Sequence, residues 1–315
     1  ERDKNMTELT YEIMKNYQVR KTREQKTAFI ELLKRYFPDM RVETGGMLKC
    51  RNIVIGDVEN ADVVFGAHYD TCKVLPVPNI LLPKRPILFM LYQFLILIPL
   101  LLASLASLVG VLMLTGDFLV SWLAMVVVYG MGGWFLFGGR ANTHTANDNT
   151  SGVVTLCEAY KMMEPGQRRN AAFVFFDHEE TGLWGSSLFR RMHRCAMREK
   201  LLVNFDCVSD GDHFLIIAGK KARVKYGEEL RSAFSDIEGK CVRLEKATTT
   251  LFPSDQMRFP CSVGVAALKR KRMIGLYLDR IHTKHDTVFR EENIAYFAES
   301  ICRLSAEIEK RRVIK

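Results

Sequence analysis

The feature that most constrains this chain is a long apolar stretch at residues 86–139, which contains a single charged side chain, Asp117. Residues 86–114 and 118–137 are each long enough to cross a bilayer as a helix, since the hydrocarbon core takes about 20 mostly apolar residues. A buried hairpin in a soluble core is the alternative, but two uncharged stretches of this length favour the membrane. We therefore predict a two-helix transmembrane hairpin at residues 86–139 that contacts the lipid bilayer.

The charges that flank this hairpin predict on which side of the membrane the rest of the chain lies. Lys73, Lys84 and Arg85 precede the first apolar segment. Arg140 follows the second, whereas the turn between the segments carries only Asp117. Lys and Arg accumulate on the cytoplasmic side of membrane proteins, and eight cysteines scattered singly through the sequence favour a reducing compartment. We predict an integral membrane protein whose remaining residues lie on the cytoplasmic side.

Outside the hairpin, short apolar runs alternate with amphipathic segments. Residues 22–37 are typical of an amphipathic helix, and residues 171–176 and 201–205 are typical of buried strands. This alternation predicts an α/β fold with a mostly parallel central sheet flanked by helices. We expect residues 1–85 and 140–315 to form one domain together, into which the hairpin is inserted.

One local pairing is also predicted. Residues 52–56 and 62–66 are short, mostly apolar runs that flank a polar turn. Such a pattern is typical of two strands that pair with each other.

Polar segments follow the apolar runs at five places. In an open sheet with parallel strands, the loops after the carboxyl ends of the strands line a common crevice, so we expect these segments to lie close together. Each alone has a structural explanation, such as a helix cap or a solvated acidic turn, but their joint occurrence favours a common site. Together they supply His, Asp and Glu, which are typical ligands of Zn²⁺. The segments are GAHYDT (66–71), ANDNTSG (146–152), FDHEETGLWG (176–185), NFD (204–206) and IHTKHDT (281–287).

With these motifs in this order, the chain resembles the co-catalytic zinc exopeptidases, a family that includes bacterial secreted aminopeptidases, glutamate carboxypeptidases and the transferrin-receptor ectodomain. The resemblance covers most of the sequence outside the hairpin and implies the zinc exopeptidase fold, two Zn²⁺ per chain and a peptide substrate. In such a site a carboxylate bridges the two cations. The resemblance implies five metal ligands: His68 and Asp206 on one ion, Glu180 and His282 on the other, and Asp148 as the bridge.

The same resemblance implies the catalytic roles. Glu179 would be the general base, which takes a proton from the attacking water and passes it to the leaving amine. Asp70 would hold the imidazole of His68 in one tautomer. By analogy, Asp286 would do the same for His282.

Two details depart from this pattern or leave it open. His285 lies in the same loop as His282 and is an alternative metal ligand. The segment 253–256 resembles a family Ser-Asp-His segment that lines the substrate pocket, but Gln256 stands where the family has histidine. If that histidine stabilises the oxyanion, an amide would do so less strongly.

These observations predict a membrane-anchored dizinc metallopeptidase, an aminopeptidase acting on short peptides in preference to a carboxypeptidase. If the enzyme is a carboxypeptidase instead, Arg258 and Arg280 are the candidates to bind the substrate carboxylate. The alternatives are a glutaminyl-cyclase-like transferase, which shares the fold but typically binds one zinc, and a receptor or scaffold whose metal site has decayed. We expect no nucleic-acid partner, because the basic run at 269–272 lacks interleaved aromatic residues. The sequence leaves the oligomeric state open.

Overall fold

The computed structural model of the chain describes residues 7–75, 77–137 and 139–314. The helices in this part are α1 (Glu8–Asn16), α2 (Arg23–Tyr36), α3 (Pro86–Thr115), α4 (Phe118–Phe137), α5 (Gly152–Met162), α6 (Pro165–Asn170), α7 (Trp184–Met192), α8 (Lys220–Ala233) and α9 (Glu291–Ile314). The strands are β1 (Arg41–Gly45), β2 (Cys50–Ile55), β3 (Val63–His68), β4 (Ala171–Phe176), β5 (Leu201–Phe205), β6 (His213–Ala218), β7 (Cys241–Lys246), β8 (Ser262–Lys271) and β9 (Gly275–Tyr277).

The described strands form one mixed sheet in the order β1-β2-β4-β3-β5-β8-β6-β7, with β9 paired to β8. Its centre, from β4 through β3 and β5 to β8, is parallel. Antiparallel pairings extend it on both sides, through β2 and β1 at one end and through β6 at the other. The predicted α/β fold with a parallel central sheet is therefore confirmed, with antiparallel additions that the sequence pattern did not indicate.

The predicted pairing of residues 52–56 with 62–66 is wrong. β4 lies between β2 and β3, antiparallel to the first and parallel to the second. All six residues of this wholly apolar strand are buried, as expected for an interior strand with both faces covered. A strand from more than 100 residues further along the chain therefore separates the two local neighbours.

Helices cover both faces of the sheet. On one face, the ring of Phe297 in α9 lies 4.6 Å from that of Phe214 and 6.1 Å from that of Phe205. On the other, Phe189 in α7 packs edge-on against Phe176 at 5.6 Å. Each face of the strands thus has its own apolar core, as a sheet buried on both faces requires.

Helices α3 and α4 form the predicted hairpin, and both are long and apolar enough to cross a membrane. They pack against each other at Gly132, where an added Cβ would lie 2.1 Å from a methyl carbon of Leu100. At the turn, Gly116 has a φ of +65°, a conformation that glycine adopts at little cost. Large apolar side chains along both helices are exposed, including Leu102 at 61% and Val127 at 56%. Their length, composition and exposure would allow the two helices to span a membrane.

The two ends of the hairpin return to the same point of the domain. Lys73 forms a β-bridge with Ala141, and the Val74 N–H donates to the Arg140 carbonyl at 3.0 Å. These contacts place the base of the hairpin directly after the β3 loop, beside the ends of the parallel strands.

Candidate metal centre

The five predicted metal ligands come together at the carboxyl ends of the central strands. β4, β3 and β5 are adjacent and parallel, so the side chains that follow them meet at one edge of the sheet. They are His68 at the end of β3, Glu180 after β4, Asp206 directly after β5, Asp148 in the turn before α5 and His282 in the loop after β9.

The two carboxylate oxygens of Asp148 face two different histidines. Its Oδ1 lies 3.3 Å from His68 Nε2, and its Oδ2 lies 3.1 Å from His282 Nε2. On the outer sides, Asp206 Oδ1 lies 3.5 Å from His68 Nε2, and Glu180 Oε2 lies 3.2 Å from His282 Nε2. Ligands about 2.1 Å from a tetrahedral zinc lie about 3.4 Å from one another, so these spacings suit a shared cation on each side of Asp148.

An unpartnered oxygen at this centre also fits a cation. Oε1 of Glu180 is buried and has no hydrogen-bond partner among the described residues. An unpaired buried carboxylate oxygen is costly, and a divalent cation beside it would offset that cost. The donor set, three carboxylates and two imidazoles, is of the kind that zinc takes in proteins.

The thiol of Cys72 belongs to the same centre. It lies within 4.8 Å of ligand atoms of Asp148, Glu180 and His282, and its side chain is buried. The sequence motifs did not include Cys72, because it lies one residue beyond the GAHYDT segment. His285, the alternative ligand, is exposed and belongs to none of the metal-ligand groups among the described residues.

Asp70 connects His68 to the loop that carries the two glutamates. Nδ1 of His68 lies at hydrogen-bond distance, 3.2 Å, from the backbone carbonyl of Asp70 and 3.6 Å from its Oδ1. The Asp70 carboxylate accepts hydrogen bonds from the backbone N–H groups of Glu179 at 3.0 Å and Glu180 at 3.3 Å. Burial alone would raise its pKa, but His68, Lys26 and the Glu179 amide lower the pKa to about 2. Asp70 is therefore a charged anchor for both sides of the site.

Asp286 has a different role from the one expected. Its two oxygens accept hydrogen bonds from the backbone N–H groups of Asn147 at 3.0 Å and Asp148 at 2.9 Å. Among the described residues it has no hydrogen bond to His282. Burial and the charge of Asp148 raise its pKa to about 8. Asp286 thus holds the backbone of the Asp148 turn and is not hydrogen-bonded to the histidine that it was expected to orient.

The asparagines on either side of Asp148 hold the same turn. Asn147 Oδ1 accepts from the backbone N–H groups of Ser209 and Asp210 at 2.8 and 3.0 Å, and Asn149 Nδ2 donates to the Phe205 carbonyl at 2.9 Å. The Asn-Asp-Asn sequence was the signal from which a role for the two asparagines could have been predicted. Sequence analysis used only its central carboxylate, because the amide partners are about 60 residues away.

Electrostatics separate the acids at the centre. Burial would raise the pKa of Asp148, but the two imidazoles lower it well below its usual range. Burial raises the pKa of Glu179 well above its usual range, and the adjacent Glu180 raises it further. Burial would lower the pKa of His68, but the surrounding carboxylates, Glu179 first, raise it well above the usual value. Burial thus favours the protonated form of Glu179, whereas the two imidazoles favour the charged form of Asp148.

A cavity of about 190 Å³ opens onto this centre. Its described lining residues are His68, Asn79, Leu81, Phe89, Gln93, Asp148, Glu179, Glu180, Asp206, Cys207, Phe252, Pro253, Ile281 and His282. Gln256, expected at the substrate pocket, is not among them: its Nε2 donates to the Phe252 carbonyl at 2.7 Å, and its Oε1 accepts from Asn204 at 3.0 Å. Both polar atoms of the amide are thus held by other residues of the chain, and a role toward the oxyanion stays untested.

A family model supports what this geometry indicates. The model of peptidase family M28 matches residues 131–302, which include Asp148, Glu179, Glu180, Asp206 and His282. This is more than half of the sequence. The chain belongs to peptidase family M28. The predicted relation to the dizinc exopeptidases is thereby confirmed.

Solved structures show the same fold. LapA aminopeptidase of Legionella pneumophila superposes with a TM-score of 0.56 at 14% identity, covering 95% of this chain and 68% of LapA. LapB of the same organism gives a TM-score of 0.51 at 13% identity, covering 95% and 70%. Macrostomum lignano glutaminyl cyclase gives 0.53 at 12% identity, covering 96% and 89%. None of the curated proteins matches in sequence. At these identities the similarity shows the fold alone. Structures with this fold include both an aminopeptidase and a glutaminyl cyclase.

Proposed function

We propose that the protein is a membrane-anchored dizinc aminopeptidase. The observation that carries this proposal is the placement of Asp148, whose two oxygens face His68 and His282 on opposite sides. A single cation would use one of these faces, whereas two cations use both. Asp206 and Glu180 then complete one side each.

The charges around the cavity favour a substrate amino terminus over a carboxylate. Four carboxylate residues line it, and no Lys or Arg is among its described lining residues. Arg258 donates to the Gly182 carbonyl at 3.1 Å, and Arg280 lies 3.5 Å from Asp210. Neither guanidinium lines the cavity. Two Zn²⁺ would offset the charge of the three ligand carboxylates, so we infer the preference for an amino terminus from the lack of a described Lys or Arg in the lining that could pair with a substrate carboxylate.

We assign the proton transfer to Glu179. Two zinc ions in this site would polarise the scissile carbonyl and lower the pKa of a water. Glu179 lines the cavity beside the ligand Glu180, and its raised pKa suits a group that accepts a proton and later gives it to the leaving amine. Asp70 fixes the backbone of this glutamate loop through two hydrogen bonds.

We further place residues 86–139 in the bilayer and assign residues 1–85 and 140–315 to one catalytic domain. The adjacent hairpin ends, Lys73 and Ala141, support an insertion that leaves the domain continuous. The basic residues flanking the hairpin support a cytoplasmic catalytic domain.

Metal content distinguishes the candidate functions. We expect about two zinc ions per purified chain. One ion per chain would favour the glutaminyl-cyclase-like reaction, for which the similar fold of the Macrostomum enzyme is the supporting observation. A chain that binds none would favour a receptor or scaffold role.

Blocked peptides then distinguish the two kinds of exopeptidase. We expect a leucine-terminated peptide to be cut when its carboxyl end is amidated but not when its amino end is acetylated. The reverse pattern would identify a carboxypeptidase.

A further inference from the structure

The first hairpin helix supplies part of the wall of the catalytic cavity. Phe89 and Gln93 lie one turn apart on the same face of α3. Both line the cavity that also contains His68, Glu179 and His282. A helix that is apolar enough to span a membrane therefore contacts the same small space as the metal ligands.

Specific contacts hold this wall in place. Phe89 packs against the apolar cluster that contains Leu81, Cys207 and Ile281. The Gln93 amide donates to Oδ1 of Asn79 at 3.3 Å. These contacts fix the start of α3 against the rest of the domain.

The strand-like segment beneath it is tied to the metal centre. Leu81 and Leu278 exchange two backbone hydrogen bonds of 3.0 and 3.1 Å, and the Leu75 N–H donates to the His282 carbonyl at 2.7 Å. The loop that supports the helix therefore also supports a proposed metal ligand. Their relative position is defined by backbone contacts.

The position of these residues along α3 sets the depth of the cavity. The helix has 30 residues, about 45 Å at 1.5 Å per residue, whereas the hydrocarbon core is about 30 Å thick. Helix α4, which follows α3 directly after the turn, has 20 residues, about 30 Å. The excess of α3 therefore lies at its start, and we place its first turns at the level of the lipid headgroups. Gln93 is seven residues beyond Pro86, so the cavity wall lies within about 10 Å of the start of the helix.

On the basis of the proposed function, we propose that the enzyme acts on peptides whose free end lies at the membrane surface, with Phe89 contacting the apolar side chain of the terminal residue. Leu81, Phe252 and Ile281 supply further apolar lining. An apolar terminal residue loses its contact with water there, while its amino group faces the carboxylates. A peptide bound to the bilayer presents its end at this depth without having to reach away from the surface.

A matched pair of substitutions tests the wall. Phe94 is in the same helix, is 57% exposed and does not line the cavity. We expect Phe89→Ala to lower kcat/KM for a leucine-terminated peptide about tenfold, mainly by raising KM. The kcat/KM of the same variant for an alanine-terminated peptide should change much less. Phe94→Ala should leave both values unchanged. Equal values for the two variants would overturn the role of Phe89, whereas a zinc-loaded wild-type enzyme that cuts neither peptide would overturn the proposed function.

A series of anchored peptides tests the depth. The substrates share one leucine terminus and one acyl anchor, and differ in a linker of 5, 10 or 20 residues; the enzyme is in nanodiscs. A five-residue linker spans at most about 18 Å, so we expect the shortest substrate to be cut at least as fast as the longest. Cleavage of only the longest, with soluble peptides still cut, would place the cleft away from the surface and overturn this inference alone.

Discussion

At the residue scale, two adjacent glutamates differ because their surroundings differ. Glu180 lies 3.2 Å from His282 Nε2 and keeps its other oxygen without a partner among the described residues. Glu179 lines the cavity, and burial raises its pKa. Burial raises the pKa of Glu180 as well, but the nearby imidazole of His282 opposes that rise. The two glutamates therefore differ chiefly in their contacts, since the carboxylate of Glu180 faces His282.

The first prediction concerns Glu179. Glu179→Gln removes a proton acceptor without removing a proposed ligand, so we expect kcat to fall about 10²–10⁴-fold while the zinc content is retained. Glu31→Gln, which changes an exposed glutamate on α2, is the control and should leave both values unchanged. Hydrolysis near the wild-type rate by the Glu179 variant would contradict the assignment.

The second prediction concerns Asp148. A neutral amide bridges two cations poorly, so Asp148→Asn should lose zinc as well as activity. Zinc content per chain is the measurement, with far-UV circular dichroism to establish that the variant is folded. If the folded variant still binds two zinc ions, another carboxylate must be the bridge.

At the scale of elements, a histidine ties α7 to the edge of the sheet. His193, directly after α7, lies 3.1 Å from Glu43 of β1 and 2.8 Å from Glu59. Burial would lower its pKa, but hydrogen bonds and the charges of both carboxylates raise the pKa above its usual value. The fold therefore favours the protonated imidazole at this site.

A pH-dependent contribution to stability follows for His193. A pKa raised by folding stabilises the protein fully below the unfolded-state value of about 6.5, and this stabilisation is lost as the pH rises through the folded-state value. We expect His193→Gln to reduce the free energy of unfolding by about 1 kcal/mol at pH 5.5 and by less at pH 9. Denaturant unfolding at both pH values is the measurement. His285→Gln, at an exposed position, is the control, and a difference for His193→Gln that grows with pH would contradict the prediction.

At the scale of the whole molecule, the candidate metal centre joins the parts of the chain that precede and follow the hairpin. His68 and Asp148 lie on opposite sides of the hairpin in sequence but 3.3 Å apart in the fold. Both ends of the hairpin must therefore be on the same side of any membrane that it crosses. The flanking basic residues favour the cytoplasmic side that we propose.

Labelling of intact cells tests this topology. In a background with the exposed Cys195 replaced by serine, a membrane-impermeant thiol reagent should label Thr115→Cys in the hairpin turn and spare Met273→Cys, a position that is 84% exposed on the catalytic domain. Labelling of both in lysed cells is the control for accessibility. Labelling of the Met273 position alone in intact cells would reverse the topology.

The residues of the candidate site could be predicted from the sequence because its short motifs resemble those of the co-catalytic zinc exopeptidases; that they bind zinc stays a prediction. The segments around His68, Asp148, Glu180, Asp206 and His282 each follow an apolar run or lie beside one, and the fold brings them together. The hairpin was equally predictable, since the absence of charge over two helix lengths depends only on the local sequence.

Contacts between distant parts of the chain were decided only by the tertiary structure. β4 pairs with β2 on one edge and with β3 on the other, and no local pattern encodes that position. Asp286 holds the Asp148 turn, and Gln256 bonds to Asn204, because their partners are remote in sequence. The position of Phe89 in the cavity has the same cause. The sequence determined which chemistry the chain contains and which segment is apolar enough for a membrane, whereas folding in three dimensions determined that the two meet at one cleft.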